Sequence, residues 1–336
     1  MSRASEQTIT GEIACKTLER FPDAPALTLA KKIYKENPLV FHNVEHARRI
    51  ICYYTGKSGD ENRKDLKDKK FVRPARDTNP FNIPESDCDE WKPVHIKETD
   101  GLLFADSHFP YHDIIAINAM LGHAVKRPKI NFILIDGDGL DFYQLSKFIK
   151  DPSKRSVNNE IWQWVEFLES LKKYFPNAKI YWKFGNHEER LEKYLFVKAP
   201  ELIDMKEYRL GEIIKIRGIT DIEIIEKQII YAGRLPIVHG TEFQGRVTSA
   251  VNPARGFFLK SLSSVLGADK HITSSHSETD INGKLLSTFS IGCLCGLHTE
   301  YARLNKWNHG FAYLTIDKQE FSIENMKIYN GNVYHA

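Results

Sequence analysis

Five short clusters in this chain bring together side chains of metal-ligand type: Asp106-Ser107-His108, Gly137-Asp138-Gly139-Leu140-Asp141, Gly185-Asn186-His187-Glu188, His239-Gly240 and Ser275-His276-Ser277-Glu278. Carboxylates, imidazoles and an amide oxygen form a borderline-to-hard donor set suited to Mn²⁺, Fe or Zn²⁺. Each cluster alone is unspecific. Asp-x-His and Gly-Asn-His arise by chance, and a lone strand-end histidine is more often a hydrogen-bonded loop residue. The signal is in five of them in succession, each directly after an apolar stretch.

Those apolar stretches read as strands of an α/β sheet. Strands are expected at 102–105, 132–135 and 180–184, alternating with an amphipathic helix over 113–126. A second helix carries Ile161, Trp164, Val165, Leu168, Leu171 and Phe175 on one face. After residue 222 the pattern turns to short strands, at 229–231, 237–238, 272–274, 285–291 and 311–316, which suggests a second sheet packed on the first. In an open α/β sheet the loops at the carboxyl ends of the strands converge on one crevice. Residues far apart in sequence would meet there.

The series DSH, GDGLD, GNHE, VHG and SHSE resembles the motifs of the calcineurin-like metallophosphoesterase superfamily: DxH, GDxxD, GNH[DE], H and GHxH. The wider text FADSHFPYHD, GDGLDFYQLSKF, VNPARGFFLK and GCLCG is similar to phosphoesterases of bacteriophages and bacteria. The resemblance spans roughly 99–336. It implies two mixed β-sheets packed face to face with flanking helices. It also implies two divalent metal ions, Mn²⁺ first, with Fe, Zn²⁺ or Mg²⁺ as alternatives. Asp106 and His108 would hold the first metal, Asp138 would bridge, and Asn186, His239 and His276 would hold the second. Two such ions about 3.5–4 Å apart activate a bridging water and clamp phosphoryl oxygens. His187 would face the leaving oxygen, with Asp141 orienting its ring.

The sequence departs from that pattern in two places. Glu278 stands where the family has the second histidine of GHxH. A carboxylate there would favour Mn²⁺ or Mg²⁺ over Zn²⁺, or leave the first site loose. Phe142 follows GDxxD where the Ser/Thr protein phosphatases of the superfamily carry arginine, which argues against that branch. Arg190 and Arg255 are candidate phosphate clamps, against the plainer reading of structural ion pairs. His309 is a candidate substitute ligand or a structural histidine.

The chain of 336 residues has a net charge of +3, and that charge is unevenly spread. Residues 1–76 carry 16 Lys+Arg against 10 Asp+Glu, and the remainder carries 31 against 34. The organisation expected is a small all-α basic domain over 1–56, a charged and Pro-rich linker over 57–98, and the phosphoesterase domain over 99–336. Helices are expected at 6–21, 27–37 and 43–54, the last with Val44, Ala47, Ile51 and Tyr54 inward and His46, Arg48, Arg49 and Tyr53 outward. Three short helices ending in a basic one resemble a helix-turn-helix module, which would make Arg48 and Arg49 nucleic-acid contacts; a helical cap on the main domain is the alternative. Phe81 and Trp91 would strap the linker to the body. The Lys-rich 63–70 stretch would add phosphate contacts.

No apolar run approaches the length of a membrane span, and the first residues are too polar for a signal peptide. Five cysteines without framework spacing suit a reducing compartment, the cytoplasm of a bacterium or phage-infected cell. Cys293 and Cys295 read as buried strand thiols, with metal binding as the alternative. The expected function is a metal-dependent phosphodiesterase or nuclease acting on nucleic acid. A phosphomonoesterase and a DNA-binding protein with a degenerate metal site are the alternatives.

Overall fold

The computed structural model describes residues 9–58, 60–66, 69–72, 81–84, 86–88, 91–151, 153–154, 156–245, 247, 251–299 and 302–336. The chain divides into two compact units, Met1–Cys88 and Asp89–Ala336.

The first unit is helical: α1 (Ile9–Arg20), α2 (Ala26–Glu36), α3 (Val44–Tyr54) and a short α4 (Asp60–Asp65). Residues 6–8, expected to begin the first helix, lie outside the described residues. The helices close on a core of Ala14, Leu18, Leu29, Ala30, Ile33, Phe41, Ala47, Ile51 and Tyr54. Asn43 caps α3, its side chain accepting from the His46 amide at 2.7 Å. Gly56, at φ 69°, follows its end. The link from α2 to α3 spans residues 37–43 and buries Phe41, so it is longer than the 3–4-residue turn of a helix-turn-helix. Arg48 and Arg49 are exposed on α3, and Arg48 pairs with Glu45 at 3.2 Å.

The second unit holds β1 (Val94–Ile96), β2 (Asp100–Phe104), α5 (Ile114–Ala124), β3 (Phe132–Asp136), α6 (Val157–Tyr174), β4 (Lys179–Lys183), α7 (Glu189–Lys198), α8 (Leu210–Ile216), β5 (Ile222–Ile225), β6 (Ile230–Ala232), β7 (Leu235–Val238), α9 (Pro253–Ser261), β8 (Val265–Gly267), β9 (Ser274–Thr279), β10 (Leu285–Ser290), β11 (His309–Asp317), β12 (Glu320–Tyr329) and β13 (Asn332–His335). They form two mixed sheets, of order β1-β6-β7-β8-β10-β9 and β13-β12-β11-β2-β3-β4-β5. In the second sheet β2 to β5 run parallel, which is why β2, β3 and β4 are each followed by a crossover and a loop at the same edge.

The strands' two-residue period divides the core. Leu103, Phe132, Leu134, Tyr181, Ala312 and Leu314 face Ile230, Leu235, Ile237 and Leu266 of the other sheet. Leu102, Phe104, Ile133, Ile135, Ile180 and Trp182 face outward, where Ile117 and Met120 of α5, Trp164, Leu168 and Leu171 of α6, and Ile214 of α8 cover them. Phe257 of α9 packs with Val238 and Val265 on the far side of the first sheet. The result is helix, sheet, sheet, helix, as the resemblance implied.

Two boundaries differ from the sequence reading. The 57–98 stretch is not all connector, because it holds α4 and because β1 joins the first sheet beside β6. Residues 73–80 of it lie outside the described residues, as do 67–68 of the Lys-rich run. Phe81 is exposed, whereas Trp91 takes Lys227 over its ring at 5.0 Å. The strand expected at 272–274 is displaced: a strand not foreseen, β8, ends at Gly267, and β9 starts at Ser274. Among the described residues no helix is long and apolar enough to cross a membrane.

Candidate metal centre

The loops leaving β2, β3, β4, β7 and β8 meet at one edge of the two sheets. Several of their residues adopt the left-handed backbone that non-glycine residues avoid: Asp106 (φ 53°), His108 (48°), Asp138 (50°), Phe142 (48°), Asp269 (61°) and His271 (56°). Asp106-Ser107-His108 and Asp269-Lys270-His271 are therefore two Asp-x-His turns with the same backbone signs. They face each other, with the Asp269 amide donating to Asp106 Oδ2 at 3.1 Å.

Asp138 is the hub. Its Oδ2 lies 3.3 Å from His239 Nε2, 3.7 Å from His187 Nε2 and 3.9 Å from His108 Nε2. Asp106 Oδ1 stands 3.3 Å from His271 Nε2 and 3.9 Å from His108 Nε2, and those two imidazoles approach each other at 3.3 Å. Asp269 Oδ1 is 4.0 Å from His239 Nε2. Two groups of donors crowd within one metal's reach, Asp106–Asp138–His239 and His108–Asp138–His187, and a third joins His108 and His271 to Cys295.

The geometry is held from behind. His239 Nδ1 donates to the Asp136 carbonyl at 2.7 Å, which aims Nε2 at Asp138. Asp141 Oδ1 lies 3.1 Å from His108 Nδ1 and 3.3 Å from His187 Nδ1, and the Asp141 carbonyl is 2.9 Å from the latter. One carboxylate thus turns both rings so that each presents Nε2 to Asp138. The buried Glu188 carboxylate accepts from the amides of Gly185, Asp138 and Leu140 at 2.8–3.0 Å, tying the third cluster to the second. Glu160 of α6 accepts from the Phe142 amide at 2.8 Å. Gly137 and Gly185 leave room, since a Cβ on Gly137 would land on the His239 ring and one on Gly185 on the Asp138 carboxylate.

Burial raises the cost of every charge here, and the neighbours decide which survive. For Asp138 burial works upward, but His187 and His239 outweigh it and hold the carboxyl well below its usual range. His239 is pulled down by burial and pushed up further by Asp138, ending well above an ordinary histidine. His271 reaches about 10 because Asp106 overcomes its burial. His108 instead ends low, through burial and the nearby His187. Glu160 is pushed up to about 8 by burial and then Asp141, and Glu188 to about 7 by burial and Asp138. The carboxyl at the middle is held low by imidazoles, while the buried acids behind it are shifted up.

The donors fit divalent cations. Asp106 Oδ1, Asn186 Oδ1 and His239 Nε2 are buried atoms with no hydrogen bond; those of Asp106 and His239 make carboxylate–imidazole approaches of 3.3–4.0 Å. Buried polar atoms left in this way are costly unless a cation takes their lone pairs.

Of the residues singled out in the sequence, the structure brings together Asp106, His108, Asp138, Asp141, His187 and His239, with Asn186 beside His187 in the chain and its Oδ1 buried without a hydrogen bond. It does not bring His276 and Glu278. Both lie on the edge strand β9, with His276 Nε2 3.3 Å from Glu278 Oε1, the His276 ring against Phe258 and Glu278 exposed. Their place is taken by Asp269 and His271, from the loop after β8. The signal available was the repeat of Asp-x-His, but β8 is three buried residues, too short for its period to show. Glu160 carried no sequence signal of its own; Glu188 stands in the GNHE motif with no role assigned there, and Cys295, read as a buried thiol, sets its sulfur 3.8 Å from His271 Nδ1. Arg190 does reach the centre: Nη2 is 2.8 Å from His187 Nε2, and Nη1 donates to the Asp141 carbonyl at 2.7 Å. Arg255 is exposed in the first turn of α9. His309 is structural, its Nε2 2.9 Å from the Cys295 carbonyl.

A family model described as calcineurin-like phosphoesterase matches residues 102–295, which includes every residue of this centre. No curated relative matches the chain. Similar solved structures include Vps29 of Cryptosporidium parvum, 15% identical with a TM-score of 0.39 over 71% of this chain and 95% of that one. A Vps29 variant of Entamoeba histolytica is 11% identical, TM-score 0.36, over 70% and 96%. The NAD nucleotidase of Haemophilus influenzae is 11% identical, TM-score 0.30, over 71% and 53%.

Proposed function

Because the chain belongs to the calcineurin-like phosphoesterase family, and is thus a metallophosphoesterase and a hydrolase, we propose that it cleaves phosphodiesters of nucleic acid at a two-cation centre. The observation that carries this reading is Asp138, within 3.3–3.9 Å of imidazoles from three different strand ends. Asp106, His108, Asp138 and His271 would hold one cation; Asp138, Asn186, His239 and Asp269 would hold the other. Bound there, divalent cations supply Lewis-acid polarisation of the phosphoryl oxygens and acidify a water. The Glu278 reading, with its loose first site and degenerate centre, loses its ground, since that side chain lies on β9.

The chain's own contribution is positional and acid–base. Asp141 accepts the proton of His187 Nδ1, so Nε2 is the atom free to act on the leaving oxygen. In the resting geometry that Nε2 accepts from Arg190. A phosphate entering the cleft offers Arg190 a better, charge-assisted partner. When Arg190 turns to it, Nε2 is released to carry a proton. Raised above the ordinary histidine value because Asp138 and Asp141 outweigh its burial, His187 then holds that proton ready for the leaving alkoxide.

The test uses leaving groups of different basicity. With a poor leaving group, a nucleoside 5′-alkoxide, His187→Ala should lower kcat by roughly 10²–10⁴. With p-nitrophenolate, which leaves without help, the loss should be far smaller. Equal losses on both would remove His187 from the proton-transfer role. Rates on bis(p-nitrophenyl) phosphate faster than on p-nitrophenyl phosphate support the diester reading over the monoester one.

A further inference from the structure

Between β3 and α6 the chain makes a rim segment, residues 142–151, that the hydrolytic chemistry does not use. It starts at the centre, since Asp141 orients both His108 and His187 and Phe142 is anchored on Glu160. Beyond that anchor it exposes what a soluble loop normally hides. Phe148 is 67% exposed and Ile149 fully so. Tyr143 meets Tyr111 edge-to-face at 6.4 Å, and the Tyr111 amide donates to the His108 carbonyl. Two phenol rings therefore stand directly beside the metal-ligand loops, with a phenyl ring further out on the same segment.

Lysines interleave with these rings. Lys147 Nζ is 5.7 Å from the Phe148 ring centre, and Lys154 Nζ is 5.9 Å from that of Tyr143. Lys150 reaches back to the Gln144 carbonyl at 3.1 Å. The segment is shaped rather than slack: the Asp151 amide donates to the Tyr143 hydroxyl at 2.8 Å, and the Phe148 amide donates to Ser146 Oγ at 3.1 Å. Within 143–154 three lysines stand against a single acid, Asp151, which is occupied by Ser153. Exposed aromatic faces spaced by cations match a strand that alternates stackable bases with phosphates. A duplex keeps its bases stacked inside and has none to offer such rings.

We propose that residues 143–150, with Tyr111, form a stacking platform that binds unpaired bases of single-stranded nucleic acid and leads the strand to the metal centre. This rests on the nuclease reading for its purpose, but its binding is measurable apart from cleavage.

The experiment uses the full chain carrying Asp138→Asn, so that no probe is cut. Fluorescence anisotropy compares a thymidylate dodecamer, a uridylate dodecamer and an abasic dodecamer of the same charge. Base-bearing strands should bind roughly tenfold tighter than the abasic one. Phe148→Ala should remove most of that ratio, Phe148→Trp should keep it, and Lys147→Ala should weaken all three strands alike. Preference between the thymidylate and uridylate arms tells DNA from RNA. The platform is overturned if base-bearing and abasic strands bind equally, or if the ratio survives Phe148→Ala. It is overturned too if the aromatic residues matter only for binding to phosphatidylserine vesicles. Base-dependent binding without cleavage of either strand by the unmutated protein would leave the platform standing and sink the nuclease reading. Cleavage without base dependence would do the reverse.

Discussion

Asp269 carries a distinctive consequence at the scale of single residues. Where the superfamily pattern has an imidazole, this chain has a carboxylate, backed by Lys270. As a ligand there, an oxygen donor would make the proposed second cation site harder and would favour Mn²⁺ or Mg²⁺ over Zn²⁺. Asp269→His should therefore shift the metal giving highest activity toward Zn²⁺, read from rates with each ion after chelator treatment; an unchanged preference would exclude Asp269 as a ligand. His271→Ala should cost bound metal and activity together. His276→Ala and Glu278→Gln, on β9, should cost neither. Glu160 gives a prediction about stability. Its pKa is raised to about 8 in the fold, so the stability it contributes is fully present below its ordinary value near 4.5 and is lost as pH rises through 8. In metal-free protein the melting temperature should fall less steeply between pH 5 and 8 in Glu160→Gln than in the unmodified chain. An identical pH profile would contradict the burial argument.

The elements explain how much of this could be read in advance. β2, β3 and β4 are five residues each and almost wholly buried, so their apolar runs stand out, and the clusters after them were legible together with the α/β order. β8 has three residues, too few to show a period, so neither it nor its loop stands out in the sequence. The run of β9 reads as a loop in the sequence because its burial is shallow, an edge strand half turned to solvent. The supporting acid Glu160 leaves no trace in the sequence for another reason: its partner is the Phe142 backbone amide, which no side-chain pattern announces. These same elements set a steric limit. Gly185→Ala, at the end of β4, puts a methyl group against the Asp138 carboxylate. It should destabilise the protein by about 1–3 kcal/mol and lower its metal content; a variant with normal melting and full metal would show that the loop has slack.

For the whole molecule, the charge asymmetry becomes a functional expectation. The helical unit carries the excess of lysine and arginine, with Arg48 and Arg49 exposed on α3. If these residues touch phosphates, Arg49→Ala should reduce the slope of log affinity against log salt by about 1, without changing which bases are preferred. A slope that does not move would leave α3 a packing helix. The claim on which everything else depends is the two-cation centre organised by Asp138. The most direct measurement is bound metal per chain in protein purified without chelator, taken together with hydrolysis of bis(p-nitrophenyl) phosphate, for the unmodified chain and Asp138→Asn. About two divalent ions per chain with turnover, and a loss of roughly a thousandfold in rate together with bound metal in Asp138→Asn, is the predicted result. An unmodified chain that holds no divalent metal and turns over no ester, or an Asp138→Asn variant that keeps both, would contradict it.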